Sequence, residues 1–267
     1  MNFSISSYTL FSLPIEEAIE QLVNSGWKSI EIMCEGELHG ERLLEMDDSQ
    51  LNRIAQFTKD NGVSFGLHLP IKHFNPALVD EETIQIWDRC LRIVRSLEVN
   101  YVLLHPGYNP SLEDGLDLAS CFIKEILEDL PKQTKVVVEN IPLAEHVIGS
   151  SIEQLLTIIQ KVNDSRVSIM LDTGHCYMNS KDAFIQECRK SYDNLFGLHI
   201  NDNHGMVDEH LAIGEGDIPF RQLMAELRGK ELLFVLETNS VIRAEHSQQN
   251  IAQYLNMTEV TECQKSN

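Results

Sequence analysis

Nine side chains with oxygen or nitrogen donors suited to metals, His68, His105, Glu139, Asp172, His175, His199, Asp208, His210 and Glu237, each close a short apolar run or lie just beyond one. A lone histidine or carboxylate in such a place is usually a capped or hydrogen-bonded structural group. A series of them is different. Burying a carboxylate at the end of a run such as Lys135-Val136-Val137-Val138-Glu139 is costly without a partner, and successive runs repeat that risk at the same end. A shared divalent cation would supply the missing charge. Imidazole and carboxylate donors without thiolates suit Zn2+, Mn2+, Fe2+ or Co2+ and point away from a Cys-rich structural zinc site. Cys176, beside His175, reads as a small apolar neighbour.

The elements that must position these donors alternate regularly. Strand-like runs recur at Phe3–Tyr8, Ser29–Met33, Val63–Leu69, Tyr101–His105, Lys135–Glu139, Val167–Asp172, Leu195–Ile200 and Leu232–Glu237. Stretches of helical spacing follow them at Ile15–Asn24, Asp48–Asp60, Glu81–Leu97, Leu116–Leu130, Ile152–Val162, Asp182–Ser191, Phe220–Leu227 and Ala244–Leu255. Near-continuous apolar strands such as Leu232–Leu236 must be covered on both faces, which helices around a parallel sheet achieve. Eight such units in a 267-residue chain without a long Pro- or Gly/Ser-rich linker predict an α/β fold, a single-domain (β/α)8 TIM barrel over residues 1–257, with a flexible C-terminal tail over 258–267. In that fold strand ends gather at one mouth, where active sites form. No Gly-x-Gly-x-x-Gly follows an early strand, and Gly214-Glu215-Gly216 reads as a tight loop.

Forty-one acidic against twenty-one basic residues give a formal charge of −20, which repels polyanions and argues against extended nucleic-acid binding. The six cysteines form no C-x-x-C pair and no secretory signal precedes them, so a cytoplasmic location is expected. No window reaches the roughly 18 apolar residues of a membrane span. Trp27, Trp87 and the phenylalanines fall at core spacing. Lys72, Arg221 and Arg243 are the cations best placed for a substrate phosphate, and Lys72, Asn140 and Arg243 are the expected substrate-binding residues. Asn140, Asn201 and Asp202 also suit the orientation of ligands by hydrogen bonds or simple turn formation. His39, His73, His146, His204 and His246 are assigned no role.

At Leu171-Asp172-Thr173-Gly174-His175, His199-Ile200-Asn201-Asp202-Asn203 and Asp208-Glu209-His210-Leu211-Ala212-Ile213-Gly214-Glu215-Gly216-Asp217-Ile218, the chain resembles the xylose-isomerase-like TIM barrel superfamily. That superfamily holds sugar and sugar-phosphate isomerases and epimerases together with endonuclease IV. The resemblance extends from the first strand to Glu237. In the isomerase and epimerase branch it implies one metal on Glu139, Asp172, His199 and Glu237. In the endonuclease branch it implies a three-metal cluster that adds His68, His105, His175, Asp208 and His210. All nine residues are present, so the ligand set alone does not separate the branches. The loops lean toward the first: Cys34–Glu41 is acidic and lacks an aromatic, and Ile71–Asn75 offers one lysine and one phenylalanine, thin equipment for gripping DNA.

The reading that follows is a divalent-metal-dependent sugar or sugar-phosphate isomerase or epimerase, acting by proton transfer through a metal-stabilised enediolate. The resemblance implies Glu139 and Glu237 as the acid/base pair, with His175 contacting substrate. The alternative is an endonuclease IV-like multi-metal phosphodiesterase with Glu139 bridging two ions. One ion per chain would mark the first, up to three the second. A barrel that binds a ligand through metal without turnover is a third reading, disfavoured because carboxylates placed to move protons are unnecessary for binding. The expected partner is a small hydroxylated or phosphorylated substrate, with neither nucleic acid nor membrane. Barrels of this type often form homo-oligomers, but no surface stripe here specifies one.

Overall fold

The computed structural model describes residues 2–257. Eight parallel strands close into a barrel: β1 (Asn2–Ser6), β2 (Ser29–Met33), β3 (Ser64–His68), β4 (Tyr101–Leu104), β5 (Lys135–Glu139), β6 (Val167–Asp172), β7 (Leu195–Ile200) and β8 (Leu233–Leu236). Each pairs with its sequence neighbours, and β8 closes on β1 with Phe3 opposite Phe234. Eight helices wrap the sheet: α1 (Ile15–Asn24), α2 (Asp48–Asp60), α3 (Glu81–Ser96), α4 (Leu112–Asp129), α5 (Ile152–Val162), α6 (Phe184–Ser191), α7 (Phe220–Glu226) and α8 (Val241–Asn256). The (β/α)8 architecture read from the sequence is the one found. The tail expected over residues 258–267 lies outside the described residues.

Two cores separate the faces of each strand. Val136, Val138, Ile169, Leu171, Leu198, Ile200, Phe234 and Leu236 pack outward under the helices. Tyr101, Leu103, Val137, Met170 and Val235 pack inside the barrel. This period of two is masked in an all-apolar run, but it decides where the donors go. Residues two beyond an inward one also face inward, so His105 follows Leu103, Glu139 follows Val137, Asp172 follows Met170 and Glu237 follows Val235. The apolar layer thereby becomes the floor of a polar mouth.

The boundaries depart from the expected ones where capping chemistry intervenes. The first strand ends at Ser6, two residues early, because the Ser6 hydroxyl accepts the Tyr8 amide and starts a 3-10 turn over Ser7–Leu10. Helix α4 begins at Leu112, with Ser111 as its cap, and α8 begins at Val241, capped by Ser240. Between the strand expected to end at Asp172 and the helix expected from Asp182 lies a further helix, Thr173–Ser180, whose cap is Asp172. A two-residue antiparallel pair, Gly107–Tyr108 with Val147–Ile148, fastens the loops after β4 and β5. No described helix is long and apolar enough to cross a membrane.

Candidate metal centre

Glu139, Asp172, His199 and Glu237 come from four adjacent strand ends, and one donor atom of each lies within 4.8 Å of all the others. His199 is central: its Nδ1 is 2.6 Å from Glu139 Oε1, 3.3 Å from Glu237 Oε2 and 3.8 Å from Asp172 Oδ2. The other Glu139 oxygen, Oε2, meets His105 Nε2 at 2.9 Å and His68 Nε2 at 3.3 Å, and these three residues make a second donor group. One carboxylate thus faces two groups. A third set sits on Asp208, whose Oδ2 is 3.1 Å from His175 Nε2 and 3.0 Å from His210 Nε2. All nine donors expected from the sequence lie at this mouth.

The orientation of the rings fits cations. His68 Nδ1 pairs with the Leu69 carbonyl at 2.8 Å, His175 Nδ1 with the Asn140 carbonyl at 2.9 Å and His210 Nδ1 with the Glu237 carbonyl at 2.8 Å. A carbonyl only accepts, so each Nδ1 carries the proton and donates, which frees Nε2 to face the centre. Two buried carboxylate oxygens, Glu237 Oε1 and Asp208 Oδ1, have no hydrogen-bond partner. Oxygens in that state call for a charge partner, which a divalent ion would be. The donor set suits Zn2+, Mn2+, Fe2+ or Co2+ alike.

Without an ion, protons must serve as the positive charge. Burial, reinforced by Glu139, Asp208 and Glu237 and eased by His175, pushes the Asp172 carboxyl up to about 7. Burial alone would lower His175, but Asp172 and Asp208 outweigh it and raise the imidazole to about 10. His210 rises to about 9 against the same burial because Asp208 and Glu237 flank it. Burial likewise opposes His199, and the Glu139, Glu31 and Glu237 carboxylates hold it well above the ordinary value. His105 falls, burial prevailing over Glu139.

The loops are tied down by side chains with no direct place in the cluster. Asp202 sits beneath the segment that carries Asp208 and His210: Oδ1 accepts the Asn203 and Ile218 amides at 2.9 and 3.1 Å, Oδ2 the Gly214 and Gly216 amides at 2.8 and 3.0 Å. A Cβ on Gly216 would stand 2.5 Å from Asp202 Oδ1, so the glycine permits the wrap. Asp202→Ala is expected to destabilise the fold by about 3 kcal/mol, since it strands four amides, those of Asn203 and Ile218 in buried hydrogen bonds, that now meet a carboxylate. Urea denaturation checks this, and a loss below about 1 kcal/mol would dismiss the clamp. His210 itself has left-handed backbone, φ 49°, a strained conformation for a side-chain-bearing residue.

Three expected substrate contacts fall elsewhere. Asn140 is buried, its side-chain amide pairing in both directions with the Asp172 backbone at 3.0 and 2.8 Å, so it fixes Asp172 and does not line the cavity. Arg243 pairs with Glu215 at 2.6 Å and with Asn239 Oδ1 at 2.6 Å, outside the cavity. Lys72 is 76% exposed and faces Glu35 at 3.8 Å. Arg221 lies with Met257. Glu35 also accepts the Ile71 and Lys72 amides, so the acidic loop after β2 is stitched to the loop after β3. His39, given no role, is buried edge-on against Phe11 with Ser7 Oγ 3.2 Å from its Nδ1.

Above the donors lies a cavity of about 450 Å3 whose wall includes Tyr8, Phe11, Met33, Ile71, Ile141, Pro142 and Val147. It contains no lysine or arginine. Tyr8 and Glu31 are the residues sequence reasoning missed. The Tyr8 ring lies 4.5 Å from that of His210, a placement set by the 3-10 turn that replaces the end of the first expected strand. Glu31 is wholly buried, 2.9 Å from His199 Nε2. Its signal was available: in Ser29-Ile30-Glu31-Ile32-Met33 the apolar residues alternate, and in a barrel strand under helices the face opposite Ile30 and Ile32 is the interior.

Comparison with known proteins agrees with this geometry. A D-tagatose 3-epimerase-like protein of known structure superposes with a TM-score of 0.79 at 25% identity, covering 96% of this chain and 97% of that one. An uncharacterized protein of Methanocaldococcus jannaschii is 26% identical over 96% of this chain and 89% of its own length. A probable endonuclease 4 of Halothermothrix orenii is 24% identical over 83% of this chain and 88% of its own. Barrel, donor-lined mouth and a family model matched over residues 19–257 converge: the chain belongs to the xylose isomerase-like TIM barrel family.

Proposed function

We propose that the protein is a divalent-metal-dependent isomerase or epimerase of a small hydroxylated substrate. The observation that carries this reading is the pair Glu139 and Glu237, two buried carboxylates that both approach His199 Nδ1 at the floor of a cavity. Glu139, Asp172, His199 and Glu237 would hold the ion, which when bound would polarise the substrate's carbonyl and neighbouring hydroxyl oxygens. Glu237 Oε1, which has no hydrogen-bond partner, would take a proton from the carbon beside the carbonyl, and Glu139, once it has itself taken up a proton, would deliver one to that carbon. His175 and His210, held by Asp208, would orient the substrate oxygens. The cavity wall is largely apolar and carries no lysine or arginine for a phosphate, which supports an unphosphorylated sugar over a sugar phosphate.

A second reading, a multi-metal phosphodiesterase, is favoured by one observation: Glu139 presents a different oxygen to each of two donor groups, as a bridging carboxylate would. The charge of −20 and a cavity without lysine or arginine set it against a nucleic-acid substrate and leave small phosphodiesters. The two readings separate on metal count and chemistry. Protein purified without chelators is expected to hold one ion per chain by elemental analysis and to catalyse deuterium exchange from heavy water into ketopentoses or ketohexoses beside the carbonyl. Three ions per chain, with hydrolysis of bis(p-nitrophenyl) phosphate and no exchange into any sugar, would replace the first reading by the second.

A further inference from the structure

The buried carboxylate of Glu31 lies on the far side of His199 from the candidate metal centre. His199 Nε2 is 2.9 Å from Glu31 Oε1, while His199 Nδ1 is the ring atom that faces Glu139, Asp172 and Glu237. The approach is off the hydrogen-bond axis, so it is a charge contact, and neither Nε2 nor Oε1 has a hydrogen-bond partner. The second Glu31 oxygen accepts the Tyr101 hydroxyl at 2.9 Å. His68, His175 and His210 each pair Nδ1 with a backbone carbonyl, whereas His199 presents its Nε2 to a side-chain carboxylate. No backbone carbonyl orients this ring.

The sequence makes room for the contact. Glu31, Gly66 and Tyr101 are in register across β2, β3 and β4. Tyr101 reaches Glu31 only by crossing the intervening strand at Gly66, where a Cβ would stand 2.1 Å from the Tyr101 ring carbon Cζ. A glycine inside a strand weakens it, and a close approach of this kind is a physical reason to find one there.

We infer that Glu31 is a positioning residue of the centre: held by Tyr101, it keeps the Nε2–H of His199 directed away from the site and Nδ1 free as the donor. This rests on the reading of Glu139, Asp172, His199 and Glu237 as metal ligands, and it adds a residue outside that set. A carboxylate behind a ligating imidazole fixes the tautomer and raises the basicity of the ligating nitrogen.

The test is Zn2+ affinity, measured by competition with a chromophoric chelator. Glu31→Gln is expected to weaken binding roughly 10- to 100-fold. Tyr101→Phe removes one oxygen and keeps the ring over Gly66; it is expected to weaken binding several-fold alone and to add nothing in the Glu31→Gln background, because its effect passes through Glu31. In nitrogen NMR of the Zn2+-loaded unaltered chain, the His199 proton is expected on Nε2. Affinities within twofold of the unaltered chain, independent effects of the two substitutions, or a proton on Nδ1 would each overturn the inference. Should Glu31→Gln fail to fold by circular dichroism, Tyr101→Phe and the NMR assignment decide it. A chain that takes up no Zn2+ would overturn the metal-centre reading as well, whereas equal binding by all variants would remove only the role of Glu31.

Discussion

Glu237→Gln is expected to lower kcat by roughly 10²- to 10⁴-fold, the range for loss of a positioned general base. The substitution keeps the volume of the side chain and removes one negative charge and one proton acceptor. It should leave the fold intact, because Glu237 stands in a crowded anionic cluster where its Oε1 has no hydrogen-bond partner and its Oε2 makes one ion-pair contact, with His199 Nδ1 at 3.3 Å. The checks are the rate of solvent deuterium exchange into the responsive sugar and the melting temperature of the metal-free chain. A kcat within tenfold of the unaltered enzyme would withdraw the proton-transfer role from Glu237. A loss of rate matched by a loss of folded protein would make the residue structural instead.

Metal affinity should rise steeply with pH. Asp172, raised to about 7, and His199, held well above its ordinary value, carry protons near neutrality that a cation bound by Glu139, Asp172, His199 and Glu237 must displace. Each proton released adds about tenfold to the affinity per pH unit, so Zn2+ binding is expected to strengthen at least about tenfold between pH 6 and 7. Metal-free stability should run the other way. A group with a raised folded pKa stabilises below its unfolded value, here 6.5 for the His175 and His210 imidazoles and 3.8 for Asp172, and that stabilisation is lost as the pH climbs through the folded values near 7, 9 and 10. The metal-free melting temperature should therefore fall between about pH 6 and 10 while the loaded protein holds. Calorimetric titration in two buffers of different ionisation enthalpy counts the protons. A pH-independent affinity with no proton release would contradict this account of how the metal-free cluster balances its charge.

The family relationship and the local chemistry answer different questions. Membership in the xylose isomerase-like TIM barrel family is compatible with epimerases and with endonuclease IV-like enzymes. The cavity's lack of lysine and arginine bears on which substrates fit, and it is a property of this chain's own loops. Arg243 illustrates the distinction: a cation just after β8 looked suited to a phosphate, yet Glu215 in the preceding loop engages it at 2.6 Å. Linear sequence carries no sign of that pairing, because the partners are 28 residues apart.

Strand periodicity and donor type were legible without coordinates because both are local: apolar runs need cover on two faces, and a carboxylate ending such a run needs a partner. The nine donors, the eight βα units and the barrel all follow from that. Tertiary structure alone decided how the donors share atoms, since Glu139 divides its two oxygens between groups drawn from different strands. It also decided that Asn140 serves Asp172, that a turn carries Tyr8 to the rim and that Gly66 clears a path from Tyr101 to Glu31. Each of these depends on the stagger of neighbouring strands, and stagger is set by closure of the whole sheet rather than by any one segment of chain.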